Sequence, residues 1–222
     1  MPLYLLTLMV YFNNWSTGMW MYFVLHGSYG LIWVLKGMIF PDNSFEQYVS
    51  ITCAVQAWLV VLGPYCIAGY KIASRSSILA QEPHPERLAC AALLYIFGLM
   101  LMLCTDAQKY FVLRERKGLI THGFNAMTRN CNYLGEIMLY ASFNVIAQVQ
   151  IVWYVYLFVW GVVFPSRMAA KDYSLSKKNG WEEYRRRTWI LLPKLFNSSA
   201  LSYLIYASLC LAARSIYSLG GV

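Results

Sequence analysis

Long apolar runs separated by short polar stretches dominate the chain, and their lengths predict helices that cross a membrane. A helix needs about 20 mostly apolar residues to cross the hydrocarbon core of a bilayer. Runs of this kind cover residues 18–40, 48–70, 88–105, 133–164 and 195–219. The pattern predicts an all-α, multi-pass integral membrane helix bundle with about five to six transmembrane helices.

The apolar run at 133–164 is too long for a single span. As one helix it would extend about 48 Å, against a hydrocarbon core of about 30 Å. We therefore expect it to break near Asn144 to Gln150 and to form a hairpin of two helices.

Shorter features modify this pattern near the N-terminus and in the second run. Residues 3–12 are apolar but short, and the polar residues that follow predict a re-entrant or interfacial segment. Gly63-Pro64 predicts a kink, because proline removes a helical hydrogen bond. The first twelve residues lack the basic start and cleavage site of a secretory signal, so we expect no cleaved leader.

Composition and charge placement agree with a membrane protein. Hydrophobic residues make up 59% of the chain and charged residues only 13%, whereas soluble domains carry roughly 25% charged residues. Of the 18 Lys and Arg, 5 lie in residues 106–132 and 8 in residues 166–194. The positive-inside rule places both tracts on one side of the membrane, so the net charge of +8 does not indicate a nucleic-acid partner.

The six cysteines are scattered without a C-x-x-C pair, and most lie in apolar runs. There they behave as small hydrophobic residues. We expect no disulfide framework and no metal site.

The most polar stretch between two apolar regions is residues 119–136. Its polar members are Arg129, Asn130, Asn132, Tyr133 and Glu136. A carboxylate at the start of an apolar run, as at Glu136, is costly and is treated as a functional-site hypothesis. One cation, several amides and this carboxylate can cradle a phosphorylated ligand at the membrane surface. The alternative is a membrane-entry loop whose arginine meets lipid phosphate.

His26 and Tyr29 lie in the middle of the first predicted span and share a helix face. Two interpretations stay open. The pair can belong to a helix–helix contact made by small residues with satisfied polar groups. It can also line a substrate cavity, which makes His26 and Tyr29 weak candidates for catalytic residues.

Three groups of residues within 100–196 resemble motifs of the steroid 5α-reductase C-terminal family, which includes sterol C14-reductase-like enzymes. The middle group is the most specific, and the flanking groups occur in the same order as in that family. They read Asp106-x-Gln108-Lys109-Tyr110; Gly118-Leu119-Ile120-Thr121-x-Gly123-Phe124 with Thr128-Arg129-Asn130-x-Asn132-Tyr133-Leu134-Gly135-Glu136; and Lys171-Asp172 with Trp181-x-x-Tyr184 and Pro193.

This resemblance implies a membrane reductase that uses NADPH to reduce a carbon–carbon double bond in a sterol, steroid or other lipid. It implies that residues 106–222 form the reductase-like part with the cofactor loops. Residues 1–105 are then the candidate substrate side. The implied address is the endoplasmic reticulum, and the implied partners are membrane lipids and the lipid substrate.

The resemblance also implies the cofactor-binding residues. Cations suit the dinucleotide phosphates, and a carboxylate with an amide suits the nicotinamide carboxamide, the roles that we expect for Glu136 and Asn132. Tyr133 belongs to the same motif, and Asp172 and Tyr184 match family positions near the cofactor. The phosphate candidates are Lys109, Arg129, Lys171 and Arg185.

The chain departs from the family in the middle motif. Relatives read Arg-His-Pro-Asn-Tyr where this chain reads Arg129-Asn130-Cys131-Asn132-Tyr133. The proline's fixed φ and the histidine's donor are lost. Isoprenylcysteine methyltransferase-like enzymes are distant cousins that bind S-adenosylmethionine, but the Asn-Tyr-Leu-Gly-Glu form is closer to the reductases.

These departures support a competing hypothesis of another class. The chain is then a non-catalytic, pseudo-enzyme subunit of a larger membrane complex, for example in the mitochondrial inner membrane. A lipid would occupy the ancestral cofactor cradle, and other membrane-protein subunits would be the partners. The 8 Trp and 18 Tyr suit such contacts at protein or headgroup interfaces.

Overall fold

The computed structural model describes residues 1–42, 48–59, 63–75 and 82–219, and all regular structure in these ranges is helical. The all-α prediction is confirmed. The helices are α1 (Pro2–Tyr11), α2 (Thr17–Ile39), α3 (Ile51–Ala57), α4 (Gly63–Ala73), α5 (Pro85–Glu115), α6 (Cys131–Ala147), α7 (Gln150–Phe158), α8 (Phe164–Ser176), α9 (Trp181–Arg187) and α10 (Ser199–Leu219). A π-helical turn, Val159–Val163, joins α7 to α8, and 3₁₀ turns cover Gly123–Ala126 and Leu195–Asn197.

Two of the described helical stretches are long and apolar enough to cross a membrane, Pro85–Glu115 and Gln150–Ser176. Shorter apolar helices cover Pro2–Tyr11 and Ser199–Leu211. The molecule is thus an all-α membrane helix bundle, and the count of five to six spans stays a prediction.

Side-chain contacts fix the directions of the helices. Ser28 meets Tyr95 at 2.7 Å, and Lys36 pairs with Asp106 further along the same two helices, so α2 and α5 run parallel. The turn after α5 reverses the chain into α6. The start of α2 and the end of α6 therefore lie at one end of the bundle, which we call the capped end. The end of α2 and the start of α6 lie at the other, which we call the basic end.

Helices α5 and α6 come into close backbone contact at Gly98 and Gly135. A Cβ at Gly98 would lie 2.6 Å from the carbonyl oxygen of Gly135, and one at Gly135 would lie 2.5 Å from that of Gly98. Small residues at such a crossing let two membrane helices approach backbone to backbone. This contact fixes α5 against the motif-bearing start of α6.

The predicted hairpin at 133–164 is confirmed, and its break lies within the expected range. Gln148 adopts left-handed φ of 49° directly after α6. The Asn144 side chain exchanges two hydrogen bonds of 3.1 Å with the backbone of Val149. Tyr140 contacts Tyr156 and Tyr133 contacts Phe164, ring to ring, so the two arms run antiparallel.

Helix α5 differs from the prediction, because it continues ten residues beyond the expected end at Thr105. Asp106, Lys109, Tyr110 and Leu113 recur at helical spacing and share one face, which explains why the polar motif stays helical. The boundary drawn between 1–105 and 106–222 falls inside this helix.

The second predicted span is described in two parts, α3 and α4, with residues 60–62 outside the described residues. Helix α4 begins at Gly63, where the Gly63-Pro64 kink was expected. The short N-terminal run forms α1, whose Leu5 and Met9 are fully buried.

His26 and Tyr29 lie in the aromatic core between α2 and α6. The His26 ring is 3.7 Å from the Phe143 ring and 4.4 Å from the Tyr22 ring. Tyr29 shares a hydrogen bond of 3.1 Å with Tyr140. These contacts place the pair between packed helices, through aromatic rings instead of small residues, and its catalytic role stays a prediction.

Candidate functional site

The two basic tracts, 106–132 and 166–194, meet at the basic end of the bundle. The backbone N–H of Arg129 donates to the Trp189 carbonyl at 3.0 Å, and Thr128 Oγ1 donates to the same oxygen at 2.9 Å. Asn130 Nδ2 donates to the Ile190 carbonyl at 2.8 Å. The segment after α9 is therefore hydrogen-bonded to the middle motif.

We call this contact between the two tracts the junction. Arg129 lies at its centre and is only 8% exposed. Its Nε lies 3.0 and 3.2 Å from the two carboxylate oxygens of Asp172, and one Nη donates to the Thr188 carbonyl. The guanidinium also lies 5.6 Å from the Trp181 ring centroid. Arg129, which was predicted to bind phosphate, thus joins the loop before α6 to α8 and α9.

Lys171 and Tyr184 complete the junction. Lys171 Nζ donates to the Arg129 carbonyl at 2.9 Å. Tyr184 donates its hydroxyl to the Asn125 carbonyl at 2.8 Å, and burial raises the pKa of Tyr184 to about 12, so it is a neutral donor. The Gly-Trp-x-x-Tyr pattern therefore places Trp181 and Tyr184 on the buried face of α9.

A cavity of about 500 Å³ opens beside this junction, between the end of α2 and the last turns of α5. Lys36 and Asp106 form an ion pair in it, with only 6% and 16% of their side chains exposed. Lys109 and Asp42 form a longer, exposed pair at 3.6 Å. The other lining residues are Phe40, Pro41, Tyr110, Leu113 and Arg114.

Glu136 lies on α6 and interacts electrostatically with the Lys36–Asp106 ion pair. The charges that act on its carboxylate are Asp106, Lys36 and Arg167. Asn132 precedes Glu136 by one helical turn on α6, so both face the same way. The Asn132 Oδ1 atom is buried, and none of the described residues donates a hydrogen bond to it.

Most sequence-predicted cofactor residues come together at the basic end. Tyr133 packs against Phe164 at 4.7 Å between ring centroids, and Arg167 acts on its hydroxyl. Arg185 lies on α9, and its side chain is exposed. Of the predicted cofactor residues, Arg129, Lys171, Asp172 and Tyr184 lie in the junction and Lys109 lines the cavity. Glu136 is linked to the cavity electrostatically, through Asp106 and Lys36.

Sequence reasoning missed Lys36 and gave Asp106 no role. Lys36 is a cation inside an apolar run, a signal that marks a functional hypothesis by itself. Its partner lies 70 residues away, and no local pattern joins the two. Among the described residues there is no group of three potential metal-ligating side chains.

A comparison with curated proteins finds no match. A family model described as a protein of unknown function, DUF1295, matches residues 41–188, which is more than half of the chain and contains α5 to α9 with both basic tracts. The chain therefore belongs to the DUF1295 family.

Proposed function

We propose that this protein is a multi-pass membrane reductase that uses NADPH to reduce a carbon–carbon double bond in a sterol, steroid or other lipid. The motifs that resemble the steroid 5α-reductase C-terminal family support this function. Residues of those motifs lie at the basic end of the bundle, where Lys109 lines a charged cavity and the nearby Asp106 acts electrostatically on Glu136. A single dinucleotide site requires such residues to lie near one another.

The observation that carries the proposal is the buried Oδ1 of Asn132, which has no hydrogen-bond partner in the part of the chain that the structure describes. A buried acceptor without a partner costs about 1–3 kcal/mol. A carboxamide NH₂ placed there would donate to it. Glu136, on the same face of α6, would accept the second carboxamide N–H.

The cations at the cavity fit the phosphates of the cofactor. Lys109 and Arg114 line the cavity. Lys171 interacts electrostatically with Lys109 and with Asp106. Charge-assisted hydrogen bonds to phosphate are about twice as strong as neutral ones. Arg129 would contribute indirectly, by holding the loop before α6 in place.

When bound, the cofactor supplies a hydride. The protein's own work is to bind, to orient and to exclude water. The junction of Arg129, Asp172 and Tyr184 holds the loop before α6 in place. The wall made by Phe40 and Leu113 is apolar, so a lipid can approach from the membrane side.

One observation favours the second function, a non-catalytic subunit of a larger complex. The guanidinium of Arg129 is engaged by Asp172, Thr188 and Trp181, as expected for a residue retained for the fold. The cradle would then hold a lipid headgroup. A subunit of this kind would be localised to the mitochondrial inner membrane, and a reductase to the endoplasmic reticulum.

Cofactor titration of the purified, detergent-solubilised protein tests the proposal. We expect NADPH and NADP⁺ to bind in the range of about 1 μM to 1 mM that is usual for enzyme ligands. Lys109→Ala combined with Arg114→Ala should weaken binding at least tenfold. The matched control removes the exposed cations Arg116 and Lys117, just beyond the cavity, and should leave affinity unchanged.

Absence of NADPH binding up to millimolar concentration would reject the reductase. Native electrophoresis after mild detergent extraction then tests the subunit function. Migration only within a large complex, together with no nucleotide binding, would support the subunit function.

A further inference from the structure

The linker between α9 and α10, residues 188–198, holds an exposed aromatic ring on a strained backbone. Phe196 has a φ of 51°, in the left-handed region that bulky side chains rarely adopt. Its side chain is nevertheless 80% exposed, so packing within the described residues does not explain the strain. Strained residues cluster at binding sites. An exposed ring at such a position indicates an apolar ligand outside the chain.

Two cations lie next to this phenylalanine. Lys194 precedes it by two residues and donates from Nζ to the Arg186 carbonyl at 2.9 Å, so the lysine ammonium lies beside α9. Arg186 is exposed, and its Nε donates to the Glu182 carbonyl at 3.3 Å. An ammonium has three N–H donors and a guanidinium has five, and each of these contacts takes one. Both groups therefore have further donors for the oxygens of a phosphate.

Aromatic side chains join the linker to α10 in a way that is typical of a membrane–water interface. The Trp189 ring lies 4.7 Å from the Tyr203 ring, and Tyr206 donates its hydroxyl to a backbone carbonyl of the linker at 2.9 Å. Trp and Tyr are enriched where lipid headgroups meet acyl chains. Leu201 and Leu204 share one face of α10 and are 40% and 65% exposed. That face is suited to contact with an acyl chain.

We propose that the linker, together with the end of α9 and the start of α10, binds an anionic phospholipid of the surrounding bilayer. The phosphate contacts Arg186 and Lys194, and an acyl chain lies against Phe196 and Leu204. Charge favours an anionic headgroup, because residues 177–194 contain six Lys and Arg but only two Glu. This binding surface does not depend on the proposed reductase function.

The lipid would also affect the junction, because the linker supplies two of its acceptors. The Trp189 carbonyl accepts from Arg129 N and from Thr128 Oγ1, and the Ile190 carbonyl accepts from Asn130 Nδ2. A ligand that binds only the folded state stabilises that state. An anionic phospholipid on the linker should therefore raise the thermal unfolding midpoint of the protein.

Native mass spectrometry of the purified protein in detergent measures the affinities for phosphatidylglycerol and for phosphatidylcholine with the same acyl chains. We expect phosphatidylglycerol to bind about tenfold more tightly or better. Arg186→Gln combined with Lys194→Gln should weaken phosphatidylglycerol binding about 20-fold, because each cation near an anionic headgroup contributes roughly fivefold. The affinity for phosphatidylcholine should change less, since that headgroup carries no net charge.

The matched control is Arg116→Gln combined with Lys117→Gln, which removes two exposed cations from the loop after α5. It should keep the phosphatidylglycerol affinity within about twofold, because salt screens exposed charges that do not touch the headgroup. Phosphatidylglycerol should also raise the unfolding midpoint of the wild type and of this control, but not that of the linker variant. Equal losses of affinity in the two double variants, or a wild-type protein without a preference for phosphatidylglycerol, would overturn the inference.

Phe196→Gly separates a lipid contact from a role of the ring in the fold. Glycine adopts the left-handed conformation without strain, so the unfolding midpoint in lipid-free detergent should not fall. Phospholipid binding should weaken, because the acyl chain loses an apolar contact. Unchanged lipid affinity in this variant would overturn the inference.

A competition with glycerol 3-phosphate distinguishes a lipid headgroup from a soluble phosphate. This compound carries a phosphate on glycerol but has no acyl chain. We expect it to displace no phosphatidylglycerol at millimolar concentration, because Phe196 and the exposed face of α10 contribute only to lipid binding. Displacement would assign the two cations to a soluble phosphate compound and overturn the inference.

Discussion

The two ends of the bundle use polar side chains in different ways. At the capped end, Asn14 Nδ2 lies 3.1 Å from each of three carbonyls near the end of α4, and its Oδ1 accepts from Ser16 N. Glu82 accepts from the first N–H groups of α2, and Arg75 donates to the Ala147 carbonyl that ends α6. Each of these groups completes a helix terminus.

At the basic end, buried charged side chains also pair with each other. Lys36 pairs with Asp106 and Arg129 with Asp172. Amide atoms of Asn125, Asn130 and Asn132 are buried without a hydrogen-bond partner among the described residues. The basic end therefore combines paired charges with unsatisfied amide groups, a combination typical of a ligand site.

The largest expected effect comes from breaking the junction at the basic end. Asp172→Ala leaves the buried Arg129 without its carboxylate, which should destabilise the protein by about 3–5 kcal/mol. Thermal unfolding in detergent would measure the loss. The paired replacement Arg129→Met with Asp172→Leu should lose much less, because no uncompensated charge stays buried. Equal losses in the two proteins would contradict this account.

At the capped end, Asn14→Leu should destabilise the protein by about 1–3 kcal/mol, because carbonyls at the end of α4 lose their donor. NADPH affinity should not change, since the site lies at the other end. Asn179→Ala, at an exposed position, is the control for loss of an asparagine side chain. A change in cofactor affinity caused by Asn14→Leu would show that the two ends are coupled.

Glu82→Ala should cost about 0.5–1 kcal/mol by removing the acceptor for Thr17 N and Gly18 N. The interaction is exposed, so added salt should reduce the difference. Glu86→Ala changes an exposed glutamate in the first turn of α5 and is the matched comparison. If Glu86→Ala costs more than Glu82→Ala, the capping role of Glu82 is wrong.

The smallest stability change should come from Asn132→Leu, which removes a buried acceptor that has no partner. The protein without cofactor should be as stable as wild type or slightly more stable. NADPH binding should nevertheless weaken by at least tenfold, because the carboxamide loses its acceptor. A stability loss as large as that of Asn14→Leu would remove the contrast between the ends.

Sequence reasoning predicted the bundle well where the signal is local. Apolar runs predicted the helices. The length of the run at 133–164 predicted the hairpin, whose turn lies at Gln148. Helix α5 was predicted too short, because hydropathy falls at Asp106 whereas helical pairing continues to Glu115. A polar helical turn looks like a loop when only apolar runs are counted.

The sequence by itself determined the helical class, the hairpin and the placement of basic residues, because each depends on neighbours a few positions apart. Tertiary structure alone decided which charges meet. Lys36 reaches Asp106 across 70 residues, and Arg129 reaches Asp172 across 43. Lys36 meets Asp106 because α2 lies beside α5, and Arg129 meets Asp172 because the hairpin brings α8 back to the start of α6. Their burial strengthens each charge interaction.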